Sequence, residues 1–109
     1  MGKIAELVLQ GASESKYTFN VYTADTGFND IGAVYAFTKR KVENDKVSHD
    51  VLYVGETEEL GSRISGHDKW PCAKKYGGNC ICVHSESNEN DRLKKETDLI
   101  KNYEPVCNG

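Results

Sequence analysis

Tyr35 and Tyr53 fall in two apolar runs that read as neighbouring strands, Arg63 and His67 stand four apart in a segment that reads as a helix, and Glu96 interrupts the apolar side of a later helix. Taken singly, each has an ordinary explanation. A strand tyrosine packs in the core, an arginine is solvated, and a helix-face glutamate pairs with a cation four residues before it, here Arg92. As a set they are harder to account for. A carboxylate on a buried stripe costs several kcal/mol unless a cation or metal ion lies against it. Gathered in one pocket, the five could position water, neutralise an anion and move protons.

A second constellation is Cys72, Cys80, Cys82 and Cys107 with His84. Cys80, Cys82 and His84 alternate, so on a strand all three point to one side. Structural zinc sites usually pair ligands at CxxC-like spacings across a tight turn, whereas CxC along an extended strand splays its thiols. The reading therefore favours buried cysteines used as small hydrophobes over zinc. With no secretion signal in view, the thiols are expected to stay reduced rather than to form disulfides.

The chain has 109 residues, of which 38% are apolar and 28% charged, with a formal net charge of −3. These values suit one soluble globular domain and exclude a disordered or fibrous chain. The mild acidity argues against coating nucleic acid by bulk electrostatics. The cations nevertheless cluster, at Lys39-Arg40-Lys41, Lys74-Lys75, and Arg92 with Lys94-Lys95. No apolar run approaches the roughly 18 residues of a membrane span, and Glu6 interrupts what would be a signal peptide. A cytoplasmic location without membrane partners is the expectation.

The elements that would position these residues follow from hydrophobic period. Ile4–Leu9 and Tyr17–Tyr22 read as strands joined by the turn residues Gly11 to Ser15, forming an N-terminal hairpin. Ile31–Phe37 reads as a central strand covered on both faces, Val51–Val54 as its antiparallel neighbour across a long polar loop from Thr38 to Asp50, and Ile81–His84 as a third strand. Thr57 with Glu58 and Glu59 signals a helix start, and that helix should run through Leu60, Arg63, Ile64 and His67. Gly61 and Gly66 weaken it, and Pro71 argues against its continuing beyond Trp70. The last helix, capped by Ser87 or Asn88, should span about Glu89 to Asn102, with Leu93, Glu96, Ile100 and Tyr103 on its inner stripe.

In this order and spacing the residues resemble the GIY-YIG nuclease superfamily. Gly32-Ala33-Val34-Tyr35 matches the first motif, with Ala-Val-Tyr in place of Gly-Ile-Tyr, and Tyr53-Val54-Gly55 matches the second. Arg63 follows Tyr53 by ten residues and His67 follows Arg63 by four, the family's spacing in the helix behind that motif. Glu96 matches the metal-binding glutamate and Asn108 the terminal asparagine. The run Leu99 to Asn108 looks like the closing segment of the nuclease domain in the UvrC repair proteins. Either tripeptide alone would be weak; five elements in order are a specific signal.

The resemblance implies an α/β (α+β) fold with a three-stranded antiparallel sheet flanked by helices over residues 31–109. Residues 1–30 would add a strand or hairpin packed on that core, within a single structural domain. It also implies a divalent-metal-dependent endonuclease acting on nucleic acid, with DNA as the expected substrate. Tyr35 would act as base or orient the water, Tyr53 would position the same water, Arg63 would bind phosphate, and His67 would assist proton transfer or position the tyrosine. Glu96 would hold one Mg²⁺ or Mn²⁺. Gly32, Gly55 and Asn108 would serve the pocket and fold.

Many members join this module to a separate targeting domain, and here only about thirty residues precede the first motif. Recognition would then fall to Lys39, Arg40 and Lys41 in the loop, Lys69 with Trp70, and Lys74-Lys75, or to a homodimer or targeting partner. Two rivals remain: a non-catalytic nucleic-acid- or protein-binding module that keeps the fold, and a zinc-stabilised interaction domain.

Overall fold

A computed structural model describes residues 2–109. Five antiparallel strands, β1 (Ala5–Gln10), β2 (Lys16–Thr23), β3 (Ala33–Glu43), β4 (Lys46–Thr57) and β5 (Cys80–Ser85), form one sheet in the order β1-β2-β5-β3-β4. Three helices, α1 (Leu60–Ile64), α2 (Trp70–Lys75) and α3 (Glu89–Tyr103), complete the α+β fold. The expected three strands are the β5-β3-β4 part of a wider sheet, because the N-terminal hairpin joins edge-on through β2 and β5. Its loop is fastened to α3 by Asp98, whose carboxylate accepts from the Ser13 amide at 2.8 Å and from the Tyr17 hydroxyl at 2.7 Å.

Alternation along β3 builds two cores. Val34 and Ala36 face Leu99 of α3 together with Phe19, Val21, Val54 and Cys82, while Tyr35 and Phe37 face Leu60 of α1 and Ala73 of α2. A strand buried on both sides needs apolar residues at nearly every position, as Ala33 to Phe37 supplies.

The polar segment between Thr38 and Asp50 is strand rather than loop. Paired residues continue outward to Glu43 and Lys46, and Asn44 and Asp45 turn the chain with φ of 50° and 65°. Two successive residues at positive φ make the tight hairpin turn whose twist suits antiparallel strands. Since β5 pairs with β3 only as far as Thr38, the outer half is a two-stranded ribbon in solvent, which explains its lack of apolar alternation.

The helices differ from expectation at their ends. α1 stops at Ile64, three residues short of His67, and Gly66 reverses the chain at φ +66°. Thr57 does not cap it: its hydroxyl accepts from the Glu59 amide. The first amides of α1 are instead taken by the Ile31 and Asn29 carbonyls and the Asp30 carboxylate. Pro71 opens α2 rather than closing a helix, since a first-turn proline sacrifices no hydrogen bond. α3 keeps its expected span, capped by Asn88, whose side chain accepts from the Asp91 amide. Its inner row, however, includes Arg92 and Leu99 and leaves Leu93 42% exposed.

Two of the four cysteines depart from expectation, and two keep to it. Cys72 and Cys107, expected as reduced thiols, form a disulfide with Cα atoms 5.9 Å apart, tying α2 to the C-terminal tail. Cys80 and Cys82 share one face of β5 and are buried in the core under α3. Burial pushes the Cys82 thiol up to about 12, so it is a neutral, small apolar group. His84 on the same face donates from Nδ1 to the Thr18 carbonyl and accepts at Nε2 from Lys95.

The tail closes the open edge of β4. Cys107 donates to the Leu52 carbonyl, and the Asn108 amide both accepts from the Val54 N–H and donates to the Val54 carbonyl, each at 2.9 Å. One side chain thus does the work of a neighbouring strand beside Gly55. Asn108→Ala strips both partners from Val54, at roughly 1–3 kcal/mol. The melting temperature should fall by at least about 4 °C in calorimetry, with the disulfide intact.

Candidate active site

Tyr35 is 1% exposed, and its hydroxyl lies 2.7 Å from His67 Nε2. The room for that phenol comes from Gly55, directly opposite on β4. A methyl group there would stand 2.6 Å from the Tyr35 hydroxyl and 2.9 Å from the Tyr53 ring. Gly32 has an equally steric reason, since a Cβ would meet the Glu86 carbonyl at 2.6 Å and Arg92 Nη1 at 2.8 Å. Tyr53 and His67 close the cluster, with ring centroids 5.2 Å apart and, respectively, 6.1 and 5.6 Å from Tyr35.

His67 lies beyond α1 rather than on it, and the backbone fixes its ring. The Lys69 amide donates to Nδ1 at 2.9 Å, so that nitrogen carries no proton and the neutral ring holds its proton on Nε2. Nε2–H therefore donates to Tyr35, leaving the tyrosine's own O–H to point elsewhere. Burial first, then the Arg63 charge, holds the imidazole down to about 4, despite Asp68 at 3.5 Å from Nδ1. At neutral pH that contact is not an ion pair.

Burial raises the Tyr35 hydroxyl above the ordinary phenol range; Tyr53 adds to the effect and the Arg63 charge opposes it. The phenol is neutral at pH 7. Arg63, in the last turn of α1, donates from Nη2 to Asp68 at 2.9 Å and remains 39% exposed along its side chain. Such a surface pair is weak enough for an arriving anion to displace it.

Glu96 lies on α3, which packs on the opposite face of the sheet, and bears on the group through its charge. Its half-buried carboxyl lies beside Glu56 at the end of β4, near enough for its charge to bear on Tyr35. Burial, then the Glu56 carboxylate, raises it above the usual carboxylate range, while the Glu56 backbone amide opposes this. The expected partner Arg92 is engaged elsewhere. Its Nε donates to Glu56 at 3.0 Å and its Nη1 to the Glu86 and Ser87 carbonyls. Glu56, Asp68 and Arg92 are thus neighbours that the sequence reading passed over or misassigned. No spacing or period in the sequence marks Glu56, which only the fold brings to Arg92.

Compared with known proteins, the chain matches no family model, no curated protein and no solved structure.

The basic residues do not form one cluster. Lys39, Arg40 and Lys41 lie on β3, so alternation separates them. Lys39 shares the Tyr35 face and lays its stem over Gly77 just after α2. Arg40 points to the other face beside His49, and Lys41 is paired with Asp50 at 3.3 Å. Lys69 precedes α2, and Lys74 and Lys75 are exposed in its last turn. Trp70, expected to stack on bases, packs edge-on against Phe37 at 5.0 Å and is half-buried. Lys39, Lys69, Lys74 and Lys75 therefore border the Tyr35 face, and Arg40 does not. Among the described residues no group of three or more His, Cys, Asp or Glu is arranged to hold a metal ion.

The buried imidazole gives a signed pH dependence. Its folded pKa, about 4, lies below the unfolded value near 6.5, so its stabilisation is full above about 6.5. It is lost as pH falls from there toward 4, because the unfolded chain binds the proton first. The full effect is at most about 3 kcal/mol. Urea unfolding at pH 7.5 and pH 4.5 should show His67→Gln losing less stability than the parent by a kcal/mol or more; equal losses would contradict the assignment.

Proposed function

We propose that the chain is a divalent-metal-dependent endonuclease of the GIY-YIG type, hydrolysing nucleic-acid phosphodiester bonds with DNA as its substrate. The observation that supports this reading is the grouping of Tyr35, Tyr53 and His67 beside Gly55, with the charges of Arg63 and Glu96 both bearing on Tyr35. A scaffold has no need of that polar set in a position so costly to desolvate.

The donor chemistry at Glu96 fits a divalent cation. The neighbouring Glu56 carboxylate is paired with the buried Arg92 guanidinium, which makes no ion pair with Glu96, so among the described residues the Glu96 carboxyl is left without a cation of its own. Mg²⁺ and Mn²⁺ take oxygen ligands, and Mg²⁺ needs only one or two carboxylates because it keeps much of its water. Glu96 would hold the ion, which when bound polarises the scissile phosphate and its leaving oxygen.

The remaining steps belong to side chains. Arg63 exchanges Asp68 for a non-bridging phosphate oxygen, using its planar, permanently charged fork. Tyr35 acts as a neutral phenol: with Nε2–H of His67 donating to its oxygen, it orients the attacking water rather than starting as a phenolate. Tyr53 flanks the same water. His67 holds the tyrosine and does not receive its proton in the resting state. Lys39, Lys69, Lys74 and Lys75 supply phosphate contacts along the substrate backbone.

Removing one positioned donor typically costs about 10²–10³ in rate. Arg63→Ala and Glu96→Ala should each lower Mg²⁺-dependent cleavage of plasmid DNA by at least that factor while keeping the parental circular dichroism spectrum and melting temperature. Cleavage by both at the parental rate would exclude this site. Tight DNA binding by the parent without cleavage in Mg²⁺ or Mn²⁺ would favour a binding module of the same fold.

A further inference from the structure

Arg92 is 3% exposed, although nothing in the sequence marks it as an interior residue. It is held from three directions: Nε donates to Glu56 on β4 at 3.0 Å, and Nη1 donates to the carbonyls of Glu86 at 3.2 Å and Ser87 at 2.9 Å, where β5 leads into α3. The backbone of Gly32 packs against the same guanidinium, close enough that a Cβ would stand 2.8 Å from Nη1. A buried arginine with this many contacts is costly to desolvate, and its burial has to be offset by the groups it holds.

Glu56 is the one acidic side chain among those contacts, and it is also the charged neighbour of Glu96, one helical turn beyond Arg92. Glu56 is 22% exposed along its side chain, so one carboxylate oxygen is fixed by the guanidinium while the group keeps access to solvent.

We infer that Arg92 is a positioning residue for the cation held at Glu96, acting through Glu56, whose carboxylate it pins beside that site. This rests on the metal-dependent reading above. The guanidinium sets both the turn of α3 that brings Glu96 inward and the location of a second negative charge next to the ion. Neither Arg92 nor Glu56 touches the reacting atoms.

The test uses the full chain and Mn²⁺ alone, followed by the loss of the free-ion signal in electron paramagnetic resonance. Outer-shell partners of metal ligands typically contribute 10- to 100-fold in affinity. Glu56→Gln keeps an oxygen for Arg92 and preserves the fold; it should weaken Mn²⁺ binding about tenfold. Arg92→Lys should weaken it similarly, and the double variant should be no weaker than the worse single one, since both act along one path. Half-saturating Mg²⁺ in cleavage should rise in parallel, with KM for DNA unchanged. A folded Glu56→Gln variant with parental Mn²⁺ affinity would overturn the inference and leave the metal site standing. A parent that binds no Mn²⁺ would remove the metal reading, and this inference with it.

Discussion

The hydrogen bond from His67 to Tyr35 is the contact on which the arrangement of the site depends. It joins the third residue after α1 to the stretch of β3 that is buried on both faces, and it forms only because three local features agree. Gly66 takes a positive φ that turns the chain after α1, the Lys69 amide occupies the other ring nitrogen, and Gly55 leaves the phenol room on β4. In a water-poor setting such a bond is electrostatically stronger than in solvent, and its loss leaves two polar groups stranded. The ring packing of Phe37, Tyr53 and Trp70 around it supplies the rigidity, with centroids 4.9 to 5.6 Å apart along Phe37–His67, Phe37–Trp70 and Phe37–Tyr53.

The acidic half of the site is assembled differently. Glu96 is delivered by α3 from the far face of the sheet, and its setting depends on charge rather than on aromatic packing. Arg92 pairs with Glu56, and the Glu56 charge in turn bears on Glu96. The β4 strand that carries Tyr53, Gly55 and Glu56 lies at the sheet edge, where unpaired backbone groups would leave it free to shift. Asn108 and Cys107 fasten that edge, and the Cys72–Cys107 bond links the fastening to α2, the helix that follows the His67 loop. Both halves of the site are thereby tied to the same few residues of the tail.

Elements with an apolar period were legible in the sequence. Ala33 to Phe37 declared a doubly covered strand, Tyr17 to Tyr22 a half-covered one, and α3 appeared with its cap and nearly its full span. The ribbon beyond Thr38 was not legible, because a strand pair exposed on both faces needs no hydrophobic alternation and its turn was the unremarkable pair Asn44-Asp45. The inner row of α3 was misjudged for a related reason. Arg92 reads as a surface residue until Glu56, 36 positions away, is found to receive it. The disulfide pairing was likewise invisible, since Cys72 and Cys107 are 35 residues apart and only the fold brings them together. The five candidate residues could be singled out from type, spacing and resemblance; the tautomer of His67, the charges and the neighbours came from tertiary contacts alone.

The most direct test of the whole account is a crystal structure of the chain with Mn²⁺ and a short phosphorothioate-containing DNA, with the ion located by its anomalous scattering. The account predicts a single Mn²⁺ against the Glu96 carboxylate, with a phosphate within hydrogen-bonding reach of Arg63 and a water between it and the Tyr35 hydroxyl. An ion bound away from Glu96, or DNA lying along the sheet with no phosphate near Arg63, would contradict it.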